Sequence, residues 1–348
     1  MSTLEEVASR ASVSISTVSR VLNAPAKVRP ITRNRVEEAI RQLRYRPNRV
    51  ARRLRTRDGR AHLLGLIIPD IQNTFFSNVV RGVEDEARAH DYAVILCNSD
   101  EDLDREQFYL DILRAESADG VILPPIRGDE RTARRLAELG LPVVCIDRRV
   151  APVAVDTVVA ENREGARMAI DHLIGLGHRR IGAIIGPLNL STSVERLAGY
   201  RQALVAAGIP PDDGLLGSGA PRREDGRRIA ATLLAVRPRP TALFAGNALL
   251  ALGALEALRG FGLRVPEDVA IVGYDDEPWA GLLDPPLTTV RQPSYEIGRR
   301  AAELLFQRIA AMDRSPALVV LQPELVVRRS CGSSTPGKAT GLPTGDSE

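Results

Sequence analysis

The sequence contains few of the residues that support metal or disulfide chemistry. It has three cysteines and four histidines in 348 residues. Cys97, Cys145 and Cys331 are odd in number and widely separated, so their spacing indicates neither a disulfide framework nor a zinc site. The histidines form no pair with metal-ligand spacing. We therefore expect three unpaired thiols, no metal and no cofactor.

Motifs of the common enzyme classes are also absent. The sequence has no Gly-x-Gly-x-x-Gly after a strand-like run, no phosphate-binding loop and no Gly-x-Ser-x-Gly. No apolar run approaches the roughly 18 residues that a membrane span requires. The first residues have neither the basic nor the apolar segment of a secretory signal. These absences predict a cytoplasmic protein that is not an enzyme and does not bind a membrane.

The charge of the chain is unevenly distributed. The net charge is +3, but residues 1–60 contain 15 Lys or Arg against 5 Asp or Glu, and the remainder contains 32 against 39. The first part therefore carries +10 and the second −7. A small basic part joined to a larger, mildly acidic part is typical of a protein in which one part meets a polyanion such as DNA.

Three short amphipathic helices are predicted near the amino terminus. Thr3 and Glu6 fit a capping box that opens the first helix. Ser14 can cap a second helix over residues 15–22. Thr32 announces a third helix, in which apolar residues recur three and four positions apart. Two short helices across a tight turn, followed by a third, form a helix-turn-helix domain.

The exposed face of the second helix carries short polar side chains. Ser16, Thr17 and Ser19 bear hydroxyl groups, and Arg20 follows them. Such side chains at the start of a recognition helix contact base edges and phosphates in the major groove. Ile15 can add an apolar contact with a thymine methyl group. We therefore predict that this helix reads DNA; the alternative is a small helical bundle with no role in DNA binding.

Three segments carry a specific family resemblance: LEEVA at residues 4–8, VSISTVSRVLN at 13–23 and YRPN at 45–48. They resemble the amino-terminal domain of the lactose-repressor/galactose-repressor (LacI/GalR) family, and the similarity continues over nearly the whole chain. The resemblance implies a transcriptional repressor that binds a pseudopalindromic double-stranded DNA operator as a homodimer or a tetramer. It also implies that Ile15 and Ser16 are the main base-reading positions. The residues predicted to contact DNA are Thr3, Ser14, Ile15, Ser16, Thr17, Ser19, Arg20, Asn23, Tyr45, Asn48, Arg49, Ala51 and Leu54.

A further short helix is predicted within residues 47–60, which we interpret as a hinge and linker. Asn48 can cap this helix, and Leu54 lies on its apolar side amid arginines. A helix of this length is unstable alone, so we expect it to order on DNA with Leu54 inserted into a minor-groove step. In the family this segment is the hinge helix. A plain linker is the alternative, because residues 57–60 have the composition of one.

From residue 63 onward, short apolar runs alternate with amphipathic helical stretches. Buried strands are predicted at 63–69, 92–97, 120–123, 143–147, 180–185, 241–245, 269–272, 318–321 and 325–328. Helices are predicted at 75–90, 104–116, 131–139, 161–176, 194–207, 249–261 and 295–311. This order predicts an all-α helix-turn-helix domain at 1–46 and an α/β body at 61–329 made of two doubly wound parallel-sheet lobes. The resemblance implies the same body, a type I periplasmic-binding-protein-like fold. Residues 330–348, rich in Gly, Ser, Thr and Pro, are predicted to be a disordered tail.

Polar residues follow several of the predicted strands. Because ligands bind in the crevice at the carboxyl ends of parallel strands, these residues are candidates for contacts with a small molecule. Carboxylates and amides suit a polyhydroxylated ligand, so we expect a sugar-like effector. Arg196 resembles the effector-binding arginine of the family, whereas Pro221 stands where purine-binding relatives carry a stacking aromatic residue. The predicted effector contacts are Asp70, Phe75, Phe76, Asp147, Arg196, Asn247, Asp275 and Gln292.

Two other functions share parts of this pattern. A carbon-control regulator of the same family would sense a phosphocarrier protein instead of a sugar. An exported sugar-binding protein would share the fold of the body, but it requires a secretory signal and would lack the basic helical domain. The sequence favours a DNA-binding regulator of carbohydrate-related genes, in which an effector changes the angle between the lobes. It leaves open which effector binds and whether that effector induces or corepresses.

Overall fold

The structure is a computed structural model, and it describes residues 3–23, 25–45, 60–150 and 155–332. The chain divides into two compact units between Ala61 and His62. No helix within the described ranges is both long enough and apolar enough to cross a membrane.

The first unit is helical. Its elements are α1 (Leu4–Ala11), α2 (Ile15–Asn23), a short 3-10 helix (Pro25–Lys27) and α3 (Pro30–Gln42). The predicted capping box is confirmed, because the Glu6 amide donates to the Thr3 hydroxyl at 3.2 Å and the Thr3 amide donates to the Glu6 carboxylate at 3.1 Å. Helix α3 begins at Pro30 and not at the predicted Thr32. Proline has a backbone angle suited to the first helical position, where no amide donor is needed.

The three helices enclose one small apolar core. Its buried side chains are Val7, Ala8, Ala11, Val18, Val21, Val36 and Ala39. These residues recur three or four positions apart within each helix, so each helix turns one stripe inward and leaves the opposite face to solvent. For α2 the face opposite the core is the predicted DNA-reading face.

The second unit alternates strands and helices. In chain order its elements are β1 (Leu63–Ile68), α4 (Thr74–Ala89), β2 (Ala93–Asn98), α5 (Leu103–Ala115), β3 (Gly120–Leu123), α6 (Glu130–Ala137), β4 (Val143–Ile146), β5 (Asp156–Ala160), α7 (Asn162–Gly175), β6 (Ile181–Ile185), α8 (Ser191–Ala206), β7 (Leu216–Ser218), α9 (Arg223–Ala235), β8 (Ala242–Ala245), α10 (Ala248–Gly260), β9 (Ala270–Tyr274), β10 (Thr288–Arg291), α11 (Ser294–Ala310), β11 (Leu318–Leu321) and β12 (Glu324–Val326).

The strands form two six-stranded sheets, one in each lobe. The first has the order β11-β5-β4-β3-β1-β2, and its neighbouring strands are all parallel. The second has the order β12-β10-β9-β8-β6-β7 and is parallel except for β12, which runs antiparallel to β10. Apolar clusters cover both faces of each sheet, as a parallel sheet requires. The predicted fold class is confirmed.

Within the described ranges the chain crosses between the lobes after β5, after β10 and after β11. Helix α11 returns to the first lobe, where its apolar face joins the core that α4 and the first sheet form. Strand β11 then completes the first sheet, and β12 completes the second. The prediction that the last elements cross back and complete both lobes is therefore confirmed.

The sequence pattern does not predict β5, β7, β10 or α9. Strand β5 begins with Asp156, a charged residue that is fully buried. The Asp156 carboxylate lies 3.0 Å from the Arg308 Nε and 2.6 Å from an Arg314 nitrogen, so distant arginines compensate its burial. Buried strands are predicted from short apolar runs, and a charged residue such as Asp156 interrupts such a run. The strand is therefore not predicted.

The predicted tail begins too early. Ser330 and Cys331 are buried, and the Ser330 hydroxyl donates to the Ile271 carbonyl at 2.7 Å and accepts from the Thr288 amide at 2.8 Å. Residues 330–332 therefore belong to the second lobe. The rest of that prediction, residues 333–348, lies outside the described residues. The three cysteines are buried and form no disulfide bond with one another.

Candidate functional site

The amino-terminal end of α2 presents a cluster of hydroxyl groups. The Ser14 hydroxyl accepts a hydrogen bond from the Thr17 amide at 3.2 Å, which is the predicted cap. The same oxygen lies 2.8 Å from the Ser16 hydroxyl and 2.9 Å from the Thr17 hydroxyl. Each hydroxyl can both donate and accept, so these groups can exchange bonds within the cluster for bonds to phosphates or bases.

The outward face of α2 has the exposure that contact with DNA requires. Ile15, a large apolar side chain, is 43% exposed. Ser16 and Arg20 are exposed as well, whereas Thr17 and Ser19 are half-buried. An apolar side chain, hydroxyl groups and a guanidinium group therefore lie together on one accessible face.

The other residues predicted to contact DNA differ in how much the structure says of them. Thr3 is exposed at the start of α1, and Tyr45 is half-buried against the helical core. Both have a structural role without DNA, as a helix cap and as a packing group. The side chain of Asn23 and the residues Asn48, Arg49, Ala51 and Leu54 lie outside the described residues.

In the second unit, a cavity of about 420 Å³ lies at the carboxyl ends of strands from both sheets. All eight residues predicted to contact an effector line this cavity: Asp70, Phe75, Phe76, Asp147, Arg196, Asn247, Asp275 and Gln292. The topology brings them together because parallel strands of a doubly wound sheet end at one edge, and two such edges face each other here.

Asp147 and Asp275 reach the cavity in the same way in the two lobes, each from left-handed backbone directly after a strand. Asp147 follows β4 and Asp275 follows β9, and their φ angles are 62° and 71°. The amide of Asp147 donates to the Val158 carbonyl of β5 at 3.0 Å, and the amide of Asp275 donates to the Val290 carbonyl of β10 at 2.8 Å. Left-handed backbone at a residue other than glycine costs about 1–3 kcal/mol and is concentrated at functional sites.

Arg196 lies on the first turns of α8 and is held from three sides. Its Nε donates to the Asn162 side chain at 2.8 Å, and its Nη1 donates to the Gly246 carbonyl at 2.5 Å. Its guanidinium carbon lies 3.8 Å from the centre of the Tyr274 ring, which is a cation–π contact. Arg196 is 7% exposed, so it presents a fixed positive charge to the cavity.

Two amide side chains have partners that orient them. The Gln292 Nε2 donates to Asp275 at 2.6 Å, and within the described ranges no donor reaches the buried Gln292 Oε1. The Asn247 side chain accepts from the Leu250 amide at 2.8 Å and caps α10. Asn247 therefore stabilises the start of α10 as its cap. The Gln292 Oε1 remains available to accept a hydrogen bond from a ligand.

The first lobe also contributes an apolar wall. Phe75 and Phe76, at the start of α4, are 6% and 4% exposed, and their rings meet edge to face with centres 5.0 Å apart. Both belong to the core of the first lobe and also line the cavity, so each ring packs in the core and faces the cavity. Asp70 is half-buried and accepts from the Gln72 amide at 2.8 Å.

The electrostatic environment of Asp147 is unusual. Burial raises the pKa of Asp147 to about 6. The positive charges of Arg148 and Arg196 act against this rise, and the negative charges of Asp275 and Glu101 add to it. Asp147 therefore titrates close to neutral pH, which is typical of a residue in a functional site.

The sequence reasoning missed several charged residues that line the cavity, among them Asp100, Glu101 and Arg148. Asp100 and Glu101 follow β2, and both have positive φ angles, 54° and 59°. Arg148 follows Asp147 and is 5% exposed. The signal that identified the other residues, a polar side chain directly after a strand, was present at these positions as well.

An ion pair joins the two lobes beside the cavity. The Nε of Arg149, in the first lobe, lies 2.9 Å from the carboxylate of Glu195 on α8. The Arg149 amide donates to the Ser191 hydroxyl at 3.1 Å. Glu161, at the crossing from β5 to α7, lies 3.7 Å from the same guanidinium group. A change in the angle between the lobes would have to alter these contacts.

Comparison with known proteins extends over both units. Residues 3–48 match the bacterial regulatory proteins of the lacI family, and residues 170–331 match the periplasmic binding protein-like domain. The HTH-type transcriptional repressor PurR of Aliivibrio salmonicida is 34% identical over 331 residues, which cover 95% of this chain and 99% of that protein.

Two solved structures show the same extent of similarity. The complex of the transcriptional regulator CelR with cellobiose is 36% identical, with a TM-score of 0.73, over 95% of this chain and 100% of that one. The Lac repressor dimer bound to operator and the anti-inducer ONPF is 28% identical, with a TM-score of 0.85, over 95% and 99%.

The relatives share both the helix-turn-helix unit and the two-lobed unit with this chain, at nearly full length. These relatives are transcriptional repressors and regulators. The chain belongs to the lacI family of bacterial regulatory proteins and is a DNA-binding transcriptional regulator with a periplasmic-binding-protein-like domain.

Proposed function

We propose that the chain regulates carbohydrate-related genes, as a repressor, and that an uncharged sugar-like effector bound in the cavity sets its affinity for DNA. The convergence of Asp147, Arg196 and Asp275 from two lobes on one cavity of about 420 Å³ carries the proposal. This volume lies within the range of small-molecule sites, about 300–1,000 Å³.

The polar groups of the cavity suit an uncharged, polyhydroxylated ligand. The carboxylates of Asp147 and Asp275 accept hydrogen bonds from hydroxyl groups, and Arg196 donates them. Both signs of charge are present, so an anion or a cation would meet a like-charged neighbour and a neutral sugar would not. The ring of Phe75 offers a surface for the apolar face of a sugar. The relative CelR is solved with cellobiose, which makes a small glucoside the first candidate.

The DNA-binding side of the proposal involves two copies of the chain. Helix α2 would read operator bases through Ile15 and Ser16, with Arg20 on the phosphate backbone. A dimer would place two such helices on the two halves of a pseudopalindromic operator. The Lac repressor, a relative at 28% identity, is solved as a dimer on its operator. Leu54, in the predicted hinge, would enter the minor groove between them.

Effector binding would act through the angle between the lobes. The first lobe contributes Asp147 and the second contributes Arg196 and Asp275, so a ligand that contacts all three favours one angle over others. DNA binding favours one angle as well. The effector and the operator must then change each other's affinity by the same factor.

A ligand screen on the full-length protein tests the proposal. Thermal unfolding is measured with cellobiose, glucose and ribose, and with hypoxanthine and guanine because PurR is also a relative. A ligand at about 100 times its Kd stabilises the folded state by about 2.7 kcal/mol. We expect stabilisation by a sugar, its loss in Asp275→Asn and its retention in Glu130→Gln, a change on the exposed surface of α6.

Stabilisation by a purine base with no response to any sugar would contradict the proposed effector class. A response to neither class would favour the alternative in which a phosphocarrier protein is sensed. Calorimetric titration of the responding compound then gives its affinity and stoichiometry.

A further inference from the structure

A chain of charged side chains runs from the end of β2 to the end of β4 in the first lobe. Glu101, in left-handed backbone at φ 59°, accepts hydrogen bonds from both terminal nitrogens of Arg148, one of them at 2.8 Å. The Nε of Arg148 lies 3.5 Å from the carboxylate of Asp147. Glu101 therefore fixes the guanidinium group at its far end, and Asp147 lies at its near end.

Arg148 is a buried residue with fixed partners and does not lie on the protein surface over the cavity. It is 5% exposed, and the Pro125 carbonyl accepts a further bond from it at 3.4 Å. Within the described ranges no acceptor satisfies its buried Nε at hydrogen-bond geometry. A buried donor without an acceptor destabilises the folded state, so this nitrogen is retained at some cost in stability.

We propose that Arg148 is a positioning residue, which orients the Asp147 carboxylate and holds it in its ionised form for the effector, and that Glu101 fixes Arg148 in place. This inference rests on the proposed function, in which the Asp147 carboxylate accepts hydrogen bonds from the effector.

The charges around Asp147 determine the direction in which each substitution shifts its pKa. Burial raises the pKa of Asp147, and the four charged groups that act on it are Arg148 beside it, Arg196 on α8, Glu101 after β2 and Asp275 after β9. Arg148 is the strongest of the groups that oppose the effect of burial. Removal of its charge therefore moves the pKa further up, and removal of the Glu101 charge moves it down.

The test measures the titration of Asp147 directly, without an effector. Full-length protein is labelled with carbon-13 at aspartate carboxyl groups, and the Asp147 signal is assigned by its absence in Asp147→Asn. An opposite charge at this distance is worth about 1–3 pH units. We expect the midpoint to rise by about one pH unit or more in Arg148→Met and to stay near its original value in Arg148→Lys. We expect it to fall in Glu101→Gln, which removes the negative charge but keeps a side-chain oxygen that can accept a hydrogen bond from Arg148.

The opposite signs separate positioning from a merely structural role, because general damage to the fold would move Arg148→Met and Glu101→Gln in the same direction. A midpoint that is unchanged in Arg148→Met, or one that rises in Glu101→Gln, overturns the inference. If Arg148→Met does not fold, the midpoints of Glu101→Gln and Arg148→Lys still test the inference, because both variants keep the positive charge at residue 148.

A second readout connects the pair to binding. The affinity for cellobiose is measured from pH 6 to pH 9 in the same variants. We expect Arg148→Met to lose at least about two-fold in affinity at pH 7 and to recover at pH 9, where Asp147 is ionised again. If cellobiose does not bind the wild type, the proposed effector fails, whereas the NMR titration still tests the role of Arg148.

Discussion

Replacement of Asp147 by asparagine is expected to stabilise the free protein at neutral pH. The change removes a buried negative charge and nearly preserves the shape of the side chain. Asparagine also tolerates the left-handed conformation that Asp147 adopts at φ 62°. Asp147 is 8% exposed, and burial is the main cause of its pKa of about 6.

The magnitude follows from the difference between that pKa and the value of about 3.9 in an unfolded chain. Each pH unit corresponds to about 1.4 kcal/mol, so ionised Asp147 lowers the free energy of unfolding by about 3 kcal/mol above pH 6. Because the folded state has the higher pKa, it binds the proton more tightly. The stability that protonated Asp147 provides is fully present below pH 4 and is lost as the pH rises to about 6.

Thermal unfolding of full-length wild type and Asp147→Asn between pH 4 and pH 8 checks this, by calorimetry and by the fluorescence of Trp279, the single tryptophan. A stabilisation of about 3 kcal/mol corresponds to roughly 5 °C in Tm at pH 7, with little difference at pH 4. Asp275→Asn is the matched control: Asp275 has a φ of 71° and is 8% exposed, but it accepts a 2.6 Å hydrogen bond from Gln292. Equal Tm values of wild type and Asp147→Asn at pH 7, or equal stabilisation by both variants, would refute the reasoning.

Three further expectations concern the cavity, the core and the DNA-reading helix. The affinity for the sugar effector should fall about tenfold between pH 7 and pH 5, because Asp147 is protonated in that interval, and calorimetric titration measures it. Asp156→Asn should lower the free energy of unfolding in urea by about 3 kcal/mol, because the buried Arg308 and the half-buried Arg314 lose their anionic partner. Arg20→Met should reduce the slope of log K for duplex DNA against log salt concentration by about one, as measured by fluorescence anisotropy.

Each of these has a result that contradicts it. A sugar affinity that is the same at pH 5 and pH 7 would exclude an essential ionised carboxylate. An Asp156→Asn variant as stable as Glu130→Gln would mean that the arginines find other partners. A salt slope unchanged in Arg20→Met, with weaker binding, would place Arg20 on a base and not on a phosphate.

The sequence predicts most of the fold because most strands are short apolar runs buried on both faces, and this pattern is local. Strand β5 escaped prediction because it begins with Asp156, and the groups that neutralise Asp156 come from about 150 residues later in the chain. Ser330 was assigned to a tail for a similar reason. Its polar side chain is buried because it bonds Ile271 and Thr288, and no local pattern reveals such partners.

The cavity was predictable as far as chain topology determines it. Residues after parallel strands meet at one edge, which was enough to bring Asp147, Asn247 and Asp275 to the same place. The same rule applied to Glu101 and Arg148, but their importance depends on a pairing across 47 residues. A sequence shows at which position of the chain a charged residue lies. Only the folded structure shows which distant residue it pairs with.

The central claim, that an effector in the cavity controls DNA binding, is tested most directly by reciprocal coupling. A duplex is selected by the full-length protein from a random-sequence pool, and the affinity for this duplex is measured with and without cellobiose. The affinity for cellobiose is then measured with and without the duplex. The account predicts that the two ratios are equal and differ from one, whereas saturable binding of cellobiose that leaves the affinity for the duplex unchanged would contradict it.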